Sequence, residues 1–357
     1  MESKLKKWGY SMFPSFCAIF IALIIGGVVI YAKGANPIMA YGSMIKAAFY
    51  QTSSRFPFNG LAKTLVYATP LLYSSLAVMF AFKSGLFNIG VQGQMIAGGL
   101  GATVVGVYFH GIFNNIFIAL LVAALCGFIL AGIAGFLKAI LGINEVICTI
   151  MLNYIMAFFQ NYLLTSPMKD PASSNTQTLP LAEGVRLPTL FQEITKQYLN
   201  VGFILAILIC IGVYYFFKST TLGYKIKAVG HNITASENAG INTKLIAFLS
   251  MGIAGAIAGI GGAERVMGGS TKYIYTDLIM GDFGFTGIAV ALLGRNHPIG
   301  IIFAAIFYAA LEIGGQTLQL EYRLDKEIVY IIQAIIIILV TSENAFKYFL
   351  DKRREKK

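Results

Sequence analysis

Long apolar runs, broken by short polar stretches, recur along almost the whole chain. A bilayer-crossing helix needs about 20 consecutive, mostly apolar residues. Ten segments meet or approach that requirement, near 12–32, 62–82, 88–109, 114–136, 145–164, 200–217, 245–262, 280–293, 299–315 and 327–342. The eighth is short and glycine-rich, which predicts a broken or partly inserted helix. The pattern therefore predicts an all-α integral membrane protein with about ten transmembrane helices, forming one transmembrane domain over residues 1–357. The basic start Met1–Lys7 precedes an apolar run, Met12–Tyr31, too long for a signal-peptide core, so it reads as a retained first span. Pro37–Gly60 predicts a short amphipathic helix at the membrane surface.

Two loops are too long to be mere connectors. Residues 165–199 hold Pro167, Pro171, Pro180 and Pro188, four of the nine prolines, with a turn-like stretch Ser173–Thr178. This loop reads either as a lid or partner-docking surface, or as a solvated linker. The second, 218–244, contains Gly230-His-Asn-Ile-Thr-Ala-Ser-Glu-Asn-Ala-Gly240. Thr234 and Glu237 fit a capping box and Gly240 a C-terminal stop, predicting a short helix of under two turns over about 232–240. Such a helix buries little by itself and needs a partner surface. With both termini inside, the basic residues concentrate on the cytoplasmic side, as positive-inside orientation requires. Loop 165–199 is then extracellular and loop 218–244 cytoplasmic.

Composition narrows the function classes. Apolar residues make up 57% of the chain and charged residues 12%, half the charge of a typical soluble domain. That excludes a soluble enzyme, a disordered tail and a disulfide scaffold. The net charge of +11 sits at segment ends, not in a basic patch interleaved with exposed aromatics, so it reflects topology and not nucleic-acid binding. Cys17, Cys126, Cys148 and Cys210 lie in apolar stretches without CxxC spacing, which argues against zinc or disulfides. There is no GxxxxGK[ST], so the chain does not hydrolyse ATP through a P-loop, and no HExxH or GxSxG is present. No catalytic or metal-binding residues are expected. His110, His231 and His297 read as ordinary loop histidines.

Polar residues at membrane depth are costly and mark function by default. The densest group is Asn88-Ile-Gly-Val-Gln92-Gly-Gln94, where Gly85, Gly90 and Gly93 interrupt the helix. Irregular backbone at that depth is tolerated only where protein buries it or water reaches it. These amides either line a pathway or cap helix ends. Asn153, Gln160 and Asn161 share one face of the fifth span and serve either pore lining or interhelical hydrogen bonding. Glu145 begins that span, where a negative charge is favoured. Asp282 and Glu312 are the candidate buried acids. A weak internal echo links Gly85-Leu-Phe-Asn-Ile-Gly-Val with Gly281-Asp-Phe-Gly-Phe-Thr-Gly, and Asn144-Glu145-Val-Ile with Lys326-Glu327-Ile-Val. It predicts two inverted-repeat halves, spans 2–5 and 7–10, as in many transporter folds.

Three motifs carry a family resemblance. Lys83-Ser-Gly-Leu-Phe-Asn-Ile-Gly-Val-Gln92-Gly-Gln-Met resembles the signature of permease subunits of bacterial ABC importers in the ribose/branched-chain amino-acid permease superfamily. Gly284-Phe-Thr-Gly-Ile-Ala-Val-Ala-Leu-Leu-Gly-Arg295-Asn-His-Pro298 adds to it. Met151-Leu-Asn-Tyr154, with Pro167-Met-Lys-Asp-Pro171 and Arg186-Leu-Pro188, is similar to the nucleoside-uptake branch. The resemblance runs from about residue 60 to 340. It implies a permease subunit of an ATP-driven nucleoside importer in the cell membrane. ATP and Mg would be bound by a partner ATPase, with no cofactor in this chain. The implied partners are ATP-binding subunits, a second homologous permease subunit, an extracellular substrate-binding lipoprotein, the nucleoside and membrane lipid. The implied coupling helix is 232–240, with Thr234, Glu237 and Gly240. A nucleoside needs amides for base and ribose and aromatic faces for stacking. Asn88, Gln92, Gln94 and Asn153, with Phe87, Asp282, Phe283 and Phe285, are the expected substrate pathway. Other readings remain: a permease for ribose or another simple sugar, an ion-coupled secondary transporter using Asp282 and Glu312, and a non-transporting membrane scaffold.

Overall fold

The computed structural model describes residues 19–50, 56–325 and 327–342. Their helices are α1 (Ile19–Ala32), α2 (Pro37–Phe49), α3 (Asn59–Phe82), α4 (Val91–Tyr108), α5 (Ile116–Leu141), α6 (Glu145–Thr165), α7 (Gln192–Thr195), α8 (Val201–Ser219), α9 (Thr221–His231), α10 (Ile233–Asn238), α11 (Thr243–Met267), α12 (Phe283–Leu293), α13 (Pro298–Tyr322) and α14 (Glu327–Thr341). Extended pairing among the described residues is limited to isolated bridges, Gln177 with Thr276 and Thr189 with Asn200.

Among the described residues six helices are long and apolar enough to cross a membrane: α3, α5, α6, α8, α11 and α13. The pair α1–α2, bent by 115° at a short break, brings the number to seven if it acts as one span. Asn36 and Pro37 explain the bend. Pro37 opens α2 at its first turn, and the Asn36 carboxamide accepts from the N–H groups of Ile38 and Met39. The predicted first span, 12–32, is described only from residue 19. The fourth, seventh and ninth predicted spans run on past their expected ends, to Leu141, Met267 and Tyr322, whereas the third and eighth begin late. Helix starts only at Val91 in the one and at Phe283 in the other, after non-helical stretches.

Two compact units contain these elements, 65–305 and the segments flanking it. In the flanking unit α1 packs on α14, where Gly26 lies against Ile332, and Tyr41 donates to the Leu23 carbonyl at 2.6 Å. In the central unit α11 packs on both α4 and α5. Small residues explain that packing. The buried face of α5 is Ala119, Ala123, Gly127, Ala131 and Gly135, one per turn. Its opposite face exposes Phe117, Leu121, Leu125, Ile129, Ile133 and Ile140. Lipid supplies no hydrophobic drive to bring helices together, so close approach through small residues does so instead, with the large side chains left to lipid. At the closest point Gly127 faces Gly255 of α11, and a Cβ on either would strike the other's carbonyl.

The helix α4 is enclosed on nearly all sides. This is why it can carry Gln92, Gln94 and five glycines yet remain inside the bundle. It contacts α5, α6, α11 and α12, so protein, not lipid, surrounds its polar groups.

Candidate functional site

The sequence between α11 and α12 forms an irregular loop, and its main chain is satisfied residue by residue. The Tyr275 carbonyl accepts from the Thr178 N–H, Thr276 from Ile279, Leu278 from Gly281 and Met280 from Phe283. The remaining carbonyls are taken by long side chains from three helices. Gln160 of α6 donates to Asp277 at 2.9 Å, Arg265 of α11 donates through Nε and a terminal nitrogen to Ile279 at 3.2 Å, and Gln92 of α4 donates to Gly281 at 2.6 Å. Every carbonyl from 275 to 281 thus has a donor. Non-helical backbone persists at membrane depth only when accounted for in this way.

Gln92 does two jobs. While Nε2 donates to Gly281, Oε1 accepts from the Gly284 N–H at 2.8 Å. The side chain therefore clips the start of α4 to the start of α12. A carboxylate of the same length accepts only, so the amide is needed for the pair. Gly284 sits directly against the Gln92 backbone, with no room for a Cβ. Phe283 packs between Tyr67, with ring centroids 4.9 Å apart, and the Arg265 guanidinium, 4.9 Å from its ring centre.

The start of α4 is held from α6. Gly90 provides no side-chain cap. Asn153 takes that role from another helix, accepting from the Gly93 N–H at 2.8 Å and donating to the Ile89 carbonyl at 3.0 Å. Asn88 and Gln94 form a closed amide pair at 3.0 and 2.9 Å, and Asn88 also accepts from Gly90. Both are buried. Phe87 lies half-buried against Phe82. The predicted amides are thus gathered at the head of α4. Gln92 ties the Asn153-held head of α4 to loop 275–284, where Phe283 packs, while Asp282 and Phe285 stand exposed at its edge. Asn161 is exposed, unlike Asn153 and Gln160.

The depth of this assembly follows from α6. Asn153 lies about 12 Å along the axis from Glu145 and Gln160 about 22 Å, on a helix of roughly 31 Å. Gln92 stands next to the Asn153-held Gly93, so the Gly281 end of the loop lies in the middle third of the span, while the Asp277 carbonyl held by Gln160 lies about 22 Å along it, just beyond that third. Segment 165–199 packs against the far end of the loop and is no solvated linker. Thr178, Leu181 and Leu187 are buried, and the Leu181 and Leu187 N–H groups donate to Tyr273 and Met267. Arg186 lies 4.6 Å over the Tyr273 ring. The buried Tyr275 hydroxyl reaches down to Gln160 at 2.7 Å.

The sequence placed the buried acid elsewhere. Asp282 is exposed and Glu312 half-buried; among the described residues the buried acid is Glu264, with Oε1 accepting from Asn200 at 2.9 Å. Glu264-Arg265 is an adjacent charged pair in an otherwise apolar, glycine-rich helix, a signal sufficient to single out both. Glu145 pairs with Lys138 at 2.8 Å, and Asn144 caps α6 in its place.

The segment 218–244 also departs from expectation. It forms two helices, α9 and α10, where one was predicted. Thr220 caps α9, and its Ile226 and Val229 are buried. The capping box is not formed. Asn232, and not Thr234, caps α10 by accepting from Ala235 at 2.9 Å, consistent with Asn as the stronger cap. Glu237 accepts instead from the Thr243 hydroxyl at 2.7 Å. Gly240 does terminate the turn, in the left-handed region at φ +77°. Gly230 at the end of α9 presses on the turn 83–85, where a Cβ would meet the Lys83 carbonyl. Burial and the Lys227 ammonium hold Lys83 below the ordinary lysine value there. That turn leads directly into Asn88 and α4.

Residues 60–341 match the family of branched-chain amino acid transport system permease components. The chain belongs to that family. The permease is 35% identical to the nucleoside ABC transporter permease protein NupB of Lactococcus lactis subsp. cremoris, covering 94% of this chain and 92% of the relative. It is 33% identical to the guanosine ABC transporter permease protein NupP of Bacillus subtilis, covering 99% of each. It is 31% identical to the glucose ABC transporter permease protein TsgB13 of Haloferax volcanii, covering 93% of this chain and 87% of the relative. No solved structure matches the chain. As an ABC permease it is a multi-span membrane protein and a transport component, working with ATPase and binding-protein partners.

Proposed function

We propose that this permease is the membrane-spanning subunit of an ATP-driven nucleoside importer. The observation that carries the reading is near-complete coverage by nucleoside and guanosine permeases, together with an aromatic-flanked loop held inside the span by amide side chains. The enclosed α4, the short apolar helices α12 and α14 and the bent pair α1–α2, added to the six long helices, support ten segments in one permease domain over 1–357. The two echoing segments each open a helix, α4 and α12, and meet at Gln92; this supports inverted halves over spans 2–5 and 7–10. Both termini are cytoplasmic in this reading.

The ligand crosses between this chain and a second permease subunit. Asp282 and Phe285 face it directly. Gln92 and Phe283 hold the loop that presents them, and Asn153, Asn88, Gln94 and Phe87 shape the head of α4. ATP and Mg are held by the partner ATPase and no cofactor by this chain. An extracellular lipoprotein delivers the nucleoside to segment 165–199. ATP binding closes the ATPase pair against α10, with Thr234, Glu237 and Gly240, and α9 passes the movement through Gly230 to the turn before α4. Each state must differ in affinity for ATP or ligand, or no work is coupled.

The test is uptake of labelled guanosine, adenosine, uridine and ribose by cells with and without this chain. Nucleoside uptake lost with the chain, abolished by ATP depletion and insensitive to ionophores supports the reading. Lost sugar uptake with unchanged nucleoside uptake favours the second reading, a sugar permease, for which the glucose permease relative speaks. Loss to ionophores alone would replace both with an ion-coupled carrier.

A further inference from the structure

Loop 275–284 is pinned along its length, yet it exposes one large apolar side chain. Leu278 is 82% accessible while its neighbours Ile279 and Met280 are buried. Large exposed side chains on α5, such as Phe117, belong to an unbroken apolar stripe and suit lipid. Leu278 does not: Asp277 beside it and Asp282 four residues on are both exposed. A carboxylate inside the span is costly against lipid; Gln92, beside the Asn153-held Gly93, puts Gly281 and Asp282 in the middle third of the span, and Gln160 puts Asp277 about 22 Å along it. The exposed side of the loop therefore faces water, and Leu278 projects into it. The pinning decides its direction, because the Asp277 and Ile279 carbonyls on either side are held by Gln160 and Arg265. An apolar side chain fixed in a narrow aqueous passage excludes water and closes it.

We propose that Leu278 is a hydrophobic gate of the translocation pathway, closing against the facing permease subunit and opening when the anchors at Gln92, Gln160 and Arg265 shift the loop. This rests on the importer reading for its ATP dependence, but not on which solute is carried.

The test uses the assembled complex in membrane vesicles, with Cys17, Cys126, Cys148 and Cys210 replaced by serine and Leu278→Cys introduced. A charged, membrane-impermeant methanethiosulfonate is applied to both faces. Labelling of Leu278→Cys is expected, at a rate that changes several-fold between the nucleotide-free and the ATP–vanadate-trapped complex. Phe117→Cys, on the lipid stripe, is expected to resist the reagent in both states. No labelling of Leu278→Cys in either state, or equal rates in the two, overturns the gate. Leu278→Gly is expected to pass labelled solute without ATP while Leu278→Met stays sealed; a sealed Leu278→Gly complex would also overturn it. A complex that drives ATP-dependent nucleoside uptake yet labels equally in both states sinks the gate alone. A complex without ATP-driven uptake of any solute sinks the importer reading.

Discussion

Replacing Gln92 tests whether the α4–α12 clip holds the loop. Gln92→Met keeps the length and removes both hydrogen bonds, the one to Gly281 at 2.6 Å and the one from Gly284 at 2.8 Å. A sheltered backbone group that loses its partner costs about 1–3 kcal/mol. Gln92 is half-buried, so the lower end applies to each, and the two together cost about 2–3 kcal/mol. With about 1.4 kcal/mol per tenfold, the anchored loop falls roughly 30- to 150-fold against the detached one. Gln92→Glu separates the two bonds. Its ionised carboxylate still accepts from Gly284 but faces the Gly281 carbonyl with no proton to give. Protonation restores the donor, so Gln92→Glu transport should be higher at acidic than at alkaline pH. The assay is initial-rate ATP-driven uptake in proteoliposomes, normalised to permease abundance, at several pH values. Wild-type rates for both variants, with the pH profile of Gln92→Glu unchanged from wild type, would refute the clip.

Asn153→Ala strips partners from the buried Gly93 N–H and the half-buried Ile89 carbonyl and should lower complex stability by about 2–3 kcal/mol; Asn153→Asp, which keeps the Gly93 bond, should lose less, as read by thermal unfolding in detergent. Gly127→Leu drives a side chain into the Gly255 carbonyl and should sharply reduce membrane abundance, whereas Leu125→Ala on the outer face of α5 should not. Gly230→Val separates α9 from the turn 83–85; ATP hydrolysis by the complex should continue while uptake falls, and a proportional loss of both would argue against this contact as the mechanical link.

Much of the fold was legible because the forces that build it are local. The four-residue period of small side chains in α5, the Asn36-Pro37 helix start and the brevity of the eighth span can each be read without knowing a partner. The amides of the head of α4 were also visible as polar groups where polarity is expensive. Their roles were not, since Gln92 meets a carbonyl 189 residues away and no spacing rule reaches that far. Helix α9 was missed because Gly223 and Gly230 read as loop residues, and only its packed setting shows that both serve close backbone contacts. At α10 two capping residues stood two positions apart, and the capping-box pattern favoured Thr234 over the better cap, Asn232. Arg265 was passed over beside the glycine-rich run of α11, although an intramembrane arginine is the kind of residue that must find carbonyl partners.

The most direct measurement of the central claim is labelled guanosine accumulation in proteoliposomes holding this permease, its partner permease, the ATPase and the binding lipoprotein. The account predicts accumulation that requires ATP and all four components and that unlabelled nucleosides outcompete while glucose does not. Accumulation driven by an ion gradient without ATP, or competition by glucose and not by nucleosides, would contradict it.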